Sequence, residues 1–288
     1  MANNKKVTYR GMRLRQKHDL KSNKIVNSIY RNNFSTFIAY IFVKLGISPN
    51  AITISNFFVC IFGFIFASIG TFPYIFVGLF LFILFMTLDY TDGEVARATN
   101  KQSLEGLHFE FMQDYIYYCC LGIGLGIGLF RLYQSEIYLY LGFLLTFTLI
   151  VEYATTSLLK SISRKGVIDN KIKMNISDSK FQKKLRTKFF EGHSWKNRNI
   201  FLKLFGIYPA GLVFTLELIA PILIVLSLIE FFLGIYINFP ITIYGQIVGI
   251  MPFYLFIFSI IKLIGIINFV YKMETNRHIT NFLKQTLK

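Results

Sequence analysis

Six apolar runs, each close to the roughly 20 residues an α-helix needs to cross a hydrocarbon layer, take up most of this chain. They cover residues 52–70, 72–88, 109–130, 137–159, 208–235 and 241–271. In lipid every backbone N–H and C=O must be satisfied within the protein, so runs of this length fold as helices. The expectation is an all-α integral membrane protein, a six-transmembrane-helix bundle. The last two runs are long enough to tilt or to project beyond the lipid.

A shorter stretch precedes them. In residues 33–45, Phe34, Phe37, Ile38, Ile41 and Leu45 recur on one side at helical spacing. The stretch is too short to span, so an N-terminal interfacial amphipathic helix lying on the bilayer is expected. Residues 1–47 then form a basic arm with this helix, 48–271 the six-helix transmembrane domain, and 272–288 a tail.

Charge orients the bundle. Lys and Arg number 31 against 15 Asp and Glu, a formal net charge of +16. So basic a chain also suits a nucleic-acid binder. Here the cationic residues flank apolar runs, so topology and an anionic lipid surface account for them, and no nucleic-acid partner is expected. They concentrate in the N-terminal arm and in segment 161–204, whereas the loops on the other side are nearly neutral. The positive-inside rule places both termini, and the link between the second and third runs, in the cytoplasm. The polar, basic N-terminus does not resemble a cleavable signal peptide. Cys60, Cys119 and Cys120 sit inside apolar runs without metal-binding spacing, and read as buried thiols.

Against this background one span is exceptional. Asp89, Asp92, Glu110 and Asp114 place four carboxylates around the exit of the second run and the entry of the third. Residues three or four apart share a helix face, so Asp89 pairs with Asp92, and Gly106, Glu110 and Asp114 line up likewise. A helical hairpin joined by 93–105 brings the two faces together at the cytoplasmic boundary. Clustered carboxylates repel one another unless a cation holds them, and an all-oxygen set suits Mg²⁺ or Mn²⁺. Two such ions bridge a pyrophosphate and stabilise both attacking and leaving oxygens. Asp114, deepest on its face, is placed to take a proton from an alcohol. Gly93 and Gly106 allow close backbone approach, Ala96 is small for the same reason, and Arg97 offers a phosphate a fixed positive fork. The plainer account, charged caps on two helices, explains one Asp better than it explains two spaced pairs framing two glycines and an Arg.

The pattern Asp89-x2-Asp92-Gly93-x2-Ala96-Arg97-x8-Gly106-x3-Glu110-x3-Asp114 resembles the signature of the CDP-alcohol phosphatidyltransferase family. Pro49-Asn50-x2-Thr53, just before the first run, resembles the Pro-Asn-x-x-Thr stretch of many members. The resemblance implies displacement of CMP from a CDP-linked alcohol donor by an alcohol acceptor in phospholipid synthesis, with CDP-diacylglycerol favoured as donor. It implies metal ligation by Asp89, Asp92, Glu110 and Asp114, with Asp114 also the base. It implies CDP binding by Gly93, Arg97, Ser103 and the Asn50–Thr53 region, and a homodimer. One position departs: Glu110 stands where the family usually has Asp, which keeps the charge but shifts the oxygens by one methylene.

Ionisable residues inside spans are costly and face a cavity or a partner. Glu152 and Lys262, with Lys160 nearby, are candidates for the acceptor pocket; an ion pair is the alternative for Lys262. Gly122, Gly124, Gly126 and Gly128 read as close helix packing. Three other activities remain open. One is a soluble CDP-alcohol donating to a lipid or glycan acceptor. Another is a membrane transporter or channel, which predicts inverted repeats and broken helices that the sequence does not show. The third is an inactive scaffold, to which Glu110 lends weight.

Overall fold

The computed structural model describes Tyr9, Met12 and residues 34–101, 103–168, 218–237, 241–243 and 246–276. Its helices are α1 (Thr36–Lys44), α2 (Pro49–Ser68), α3 (Phe72–Thr99), α4 (Leu104–Tyr133), α5 (Ile137–Ile168), α6 (Ile219–Ile237) and α7 (Ile250–Asn276). Strands β1 (Ile241–Ile243) and β2 (Gln246–Val248) form an antiparallel pair between α6 and α7. Two compact units divide the chain, Met1–Thr146 with Ala220–Phe253, and Phe147–Ile219 with Tyr254–Lys288.

Among the described residues, five helices are long and apolar enough to cross a membrane: α2, α3, α4, α5 and α7. In α6 the apolar stretch Ile219–Gly234 is shorter. The expected fifth run began at residue 208, and residues 208–217 lie outside the described residues. So do most of the basic arm and residues 169–204 of the cationic segment.

The helix ends follow local chemistry. Ser48 caps α2, accepting from the Ala51 N–H at 3.3 Å ahead of Pro49. Ser103 caps α4, accepting from the Gly106 N–H at 3.0 Å. α3 closes on Asn100, whose φ of 54° is the left-handed conformation that asparagine tolerates.

Two boundaries differ from expectation. The second run was to end near residue 88 with a connection at 93–105, but α3 continues to Thr99. Gly93 alone does not break a helix whose next residues, Glu94-Val-Ala-Arg-Ala98, include good helix formers, so the connection shrinks to residues 100–103. The sixth run was to begin at 241, but 241–248 hold the strand pair and α7 starts at Ile250. Short β-branched runs around Gly245 suit a strand as well as a helix, and apolar content alone does not separate the two.

In the first unit α2 packs along both α3 and α4, while α1 lies against α3. Small residues make this possible. A Cβ on Gly78 of α3 would sit 2.6 Å from the Ala67 nitrogen and 2.8 Å from the Gly63 carbonyl oxygen of α2. Gly126 of α4 and Gly142 of α5 meet backbone to backbone in the same way. Without a hydrophobic drive between helices in lipid, such close approach carries the van der Waals attraction that holds them. The Arg131 guanidinium donates to the Ser68 carbonyl at 2.8 Å, satisfying the end of α2. All three cysteines are free thiols; Cys60 is buried as expected, whereas Cys119 and Cys120 are only half-buried.

In α1, Thr36 and Ala39 are buried, and Ala39 packs with Met12, Ile52 and Val95. Phe34, Phe37, Ile41 and Leu45 are exposed, and Ile38 is half-buried. At the far end of the unit, Glu230 of α6 is fully buried. It accepts from the Tyr133 hydroxyl and from the Met251 N–H at the start of α7. That carboxylate joins α4, α6 and α7 at one point, and a Cβ on Gly249 would collide with it.

Gly78→Ala is expected to lower stability by about 1–3 kcal/mol, since backbone, not a flexible side-chain end, must move. Phe58→Ala, at an exposed position of α2, is expected to change stability far less. Unfolding midpoints in detergent check this; equal midpoints for Gly78→Ala and the unmodified chain contradict the close α2–α3 packing.

Candidate active site

The carboxylates stand where two apolar helices become polar. Asp89 and Asp92 occupy the last three turns of α3, and Glu110 and Asp114 the first three turns of α4. α2 holds α3 from the side: the Thr53 hydroxyl donates to Asp92 Oδ2 at 2.7 Å. The like charges of Glu110 and Asp114 both bear on Asp92, so three of the four acids share one electrostatic neighbourhood. The fourth, Asp89, is joined to α4 through Gln113, whose Nε2 donates to Asp89 Oδ1 at 3.1 Å.

Around the acids the residues expected to hold a nucleotide come together. Arg97 lies back over Gly93, its Nη1 only 3.3 Å from where a Cβ would stand, so the glycine makes room for the guanidinium. A Cβ on Gly106 would lie 3.4 Å from Ser103 Oγ and 3.8 Å from Asn50 Oδ1. The Pro49–Thr53 turn of α2 therefore borders both Asp92 and the start of α4. Ala96 is half-buried, and its carbonyl accepts from the Lys101 N–H at 3.0 Å, closing the end of α3.

An aromatic layer closes the apolar side. Tyr117, one turn after Asp114, stacks on Phe85, one turn before Asp89, with centroids 4.7 Å apart and planes at 6°. Its ring meets Phe82 edge-on at 5.7 Å. Asn56 of α2 is fully buried beside this layer and donates to the Phe85 carbonyl at 3.1 Å.

The donor set suits a hard divalent cation: four carboxylates, all oxygen ligands, with like charge crowding Asp92. The side chains are not gathered into a coordination shell. Among the described residues no three His, Cys, Asp or Glu side chains are grouped so as to hold one ion. Asp89 accepts from Gln113 and Asp92 from Thr53. Glu110, the longer acid, is exposed.

Glu152 and Lys262, within the second unit, form an ion pair at 2.8 Å, their side chains only 12% and 5% exposed. The Lys262 Nζ also lies 5.4 Å from the centre of the Phe258 ring. The side chain of Lys160, the third acceptor candidate, lies outside the described residues.

Three residues to which the signature assigns no role enter the site region. Gln113 and Asn56 are uncharged amides buried in apolar helices, and the cost of burying a carboxamide is the signal that singles them out. Glu94, inside the signature but without a role in it, is buried and accepts from the Ser35 hydroxyl at 2.9 Å, tying the start of α1 to α3. No spacing rule reveals that contact.

A family model described as CDP-alcohol phosphatidyltransferase matches residues 46–270. No curated protein matches the chain.

Removing one partner of the Glu152–Lys262 pair leaves the other charge buried alone. Lys262→Met is therefore expected to cost on the order of 3 kcal/mol, and the double change with Glu152→Gln to recover most of it. A double-mutant cycle on unfolding in detergent measures this; additive losses contradict a direct pair.

Proposed function

Because the chain belongs to the CDP-alcohol phosphatidyltransferase family, whose members are transferases acting on CDP-alcohols, we propose a metal-dependent enzyme of phospholipid synthesis. It moves the phosphoalcohol group of a CDP-linked alcohol, CDP-diacylglycerol in preference, to an acceptor hydroxyl and releases CMP. The observation that carries this reading is the bond from Thr53 to Asp92. It joins the two halves of the signature, the Pro-Asn-x-x-Thr turn and the carboxylate helix.

Asp89, Asp92, Glu110 and Asp114 would hold Mg²⁺ or Mn²⁺, as two ions. When bound, the metal neutralises the diphosphate and stabilises charge on the leaving oxygen. The rest falls to side chains. Thr53 fixes one oxygen of Asp92, so that carboxylate keeps its orientation as substrate arrives. Arg97 pairs with two oxygens of a phosphate through two parallel N–H bonds. Asn50, Ser103, the small Ala96 and the open face of Gly106 receive the CMP part, beside Gly93 and the Arg97 guanidinium that it makes room for. Asp114 takes the proton of the acceptor hydroxyl. That oxygen then bonds to the phosphorus carrying the alcohol, and the phosphoanhydride bond to CMP breaks.

The aromatic layer of Phe82, Phe85 and Tyr117 closes the apolar side, which favours transfer over hydrolysis. Glu152, Lys160 and Lys262 are proposed to line the acceptor pocket. Topology follows the basic flanks, with six spans and both termini and the site in the cytoplasm; a homodimer is what the family resemblance implies.

Purified membranes supplied with CDP-diacylglycerol, a panel of alcohols and Mn²⁺ are expected to release CMP. EDTA should abolish it. Asp114→Asn and Asp92→Asn should each lower turnover at least 100-fold, the low end of what a positioned base contributes. Undiminished turnover in both variants contradicts the mechanism.

A further inference from the structure

Gln113 lies between two of the signature acids, one turn after Glu110 and next to Asp114, yet the signature assigns it nothing. It is 3% exposed and reaches across from α4 to α3. A carboxylate only accepts hydrogen bonds, so the amide must turn its NH2 toward Asp89, as the 3.1 Å bond from Nε2 to Oδ1 has it. The other end of the amide, Oε1, is buried without a hydrogen-bond partner. A carboxamide held this way adds little to the fold. It spends the desolvation of two polar atoms on one bond, and an unbranched apolar side chain of the same length would avoid that cost.

What the bond does accomplish is directional. Asp89 sits on α3 and Asp114 on α4, and α2 packs along each of those helices. The bond from Gln113 to Asp89 crosses from α4 to α3. It fixes the rotation of the Asp89 carboxylate relative to the helix that carries Glu110 and Asp114. Such partners of ligating carboxylates set both ligand orientation and metal affinity.

We infer that Gln113 is a positioning residue: its amide orients Asp89 toward α4, so that acids of both helices address one divalent cation. The inference rests on the proposed function and deepens it. Gln113→Met keeps the length and removes the donor, and Gln113→Ala removes the donor with a smaller side chain. Because the native amide is poorly satisfied, both are expected to fold, with unfolding midpoints near that of the unmodified chain.

The test is Mn²⁺ binding to the purified full chain in detergent, without substrate, read from the loss of the free-ion electron paramagnetic resonance signal. Gln113→Met and Gln113→Ala should weaken binding about tenfold or more, the usual scale for such partners. CMP release should return toward the unmodified level when Mn²⁺ is raised to saturation, because no group touching substrate has been removed. Unchanged Mn²⁺ affinity in folded Gln113 variants, with binding lost in Asp89→Asn, overturns the role of Gln113 and leaves the proposed function standing. No Mn²⁺ binding and no CMP release by the unmodified chain overturns both.

Discussion

Like charge at the ends of two apolar helices is the constraint on which the rest depends. Asp89, Asp92, Glu110 and Asp114 stand at the polar ends of α3 and α4, and the charges of Glu110 and Asp114 bear directly on Asp92. Helices this apolar are held by packing, not by their charged tips. The close contacts at Gly63, Ala67 and Gly78 fix α3 against α2 some turns away from the acids. Rigid packing there lets unfavourable charge persist at the tips, where a cation and a diphosphate would relieve it.

α2 is the organising element. Two turns of it bond Asp92 through Thr53, border the start of α4 through Asn50, and reach the Phe85 carbonyl through Asn56. Polar residues at the mouth and an aromatic layer below divide the site into a wet end and a dry end. Glu94 and Ser35 extend the arrangement outward, linking α3 to the helix whose Phe34, Phe37, Ile41 and Leu45 are exposed. Far from the acids, Glu230 repeats the theme with a different result. Its carboxylate is buried and fully engaged at the start of α7, so it joins helices and has no part in the proposed chemistry.

Much of this was legible in the sequence, for identifiable reasons. Helix positions follow from apolar length, and the carboxylate faces follow from spacing of three and four, because both depend on local geometry. The family match over 46–270 agrees with the resemblance carried by residues 48–114. Boundaries were less legible. α3 runs past Gly93 because one glycine costs only about 1 kcal/mol, and residues 241–243 and 246–248 pair as strands that composition does not distinguish from helix. Contacts between distant positions were not legible at all. Ser35 with Glu94, Gln113 with Asp89 and Asn56 with the Phe85 carbonyl depend on how helices pack, which no single stretch encodes. Glu152 and Lys262 were marked by their cost in an apolar run, but only packing turns them into a pair at 2.8 Å.

Locating manganese decides the central claim most directly. Crystals of the full chain grown with Mn²⁺ and a CDP-alcohol, measured at the manganese absorption edge, should show an anomalous peak about 2–2.5 Å from carboxylate oxygens of both α3 and α4. Acids of the two helices turned apart, with manganese absent or bound elsewhere, would contradict the account.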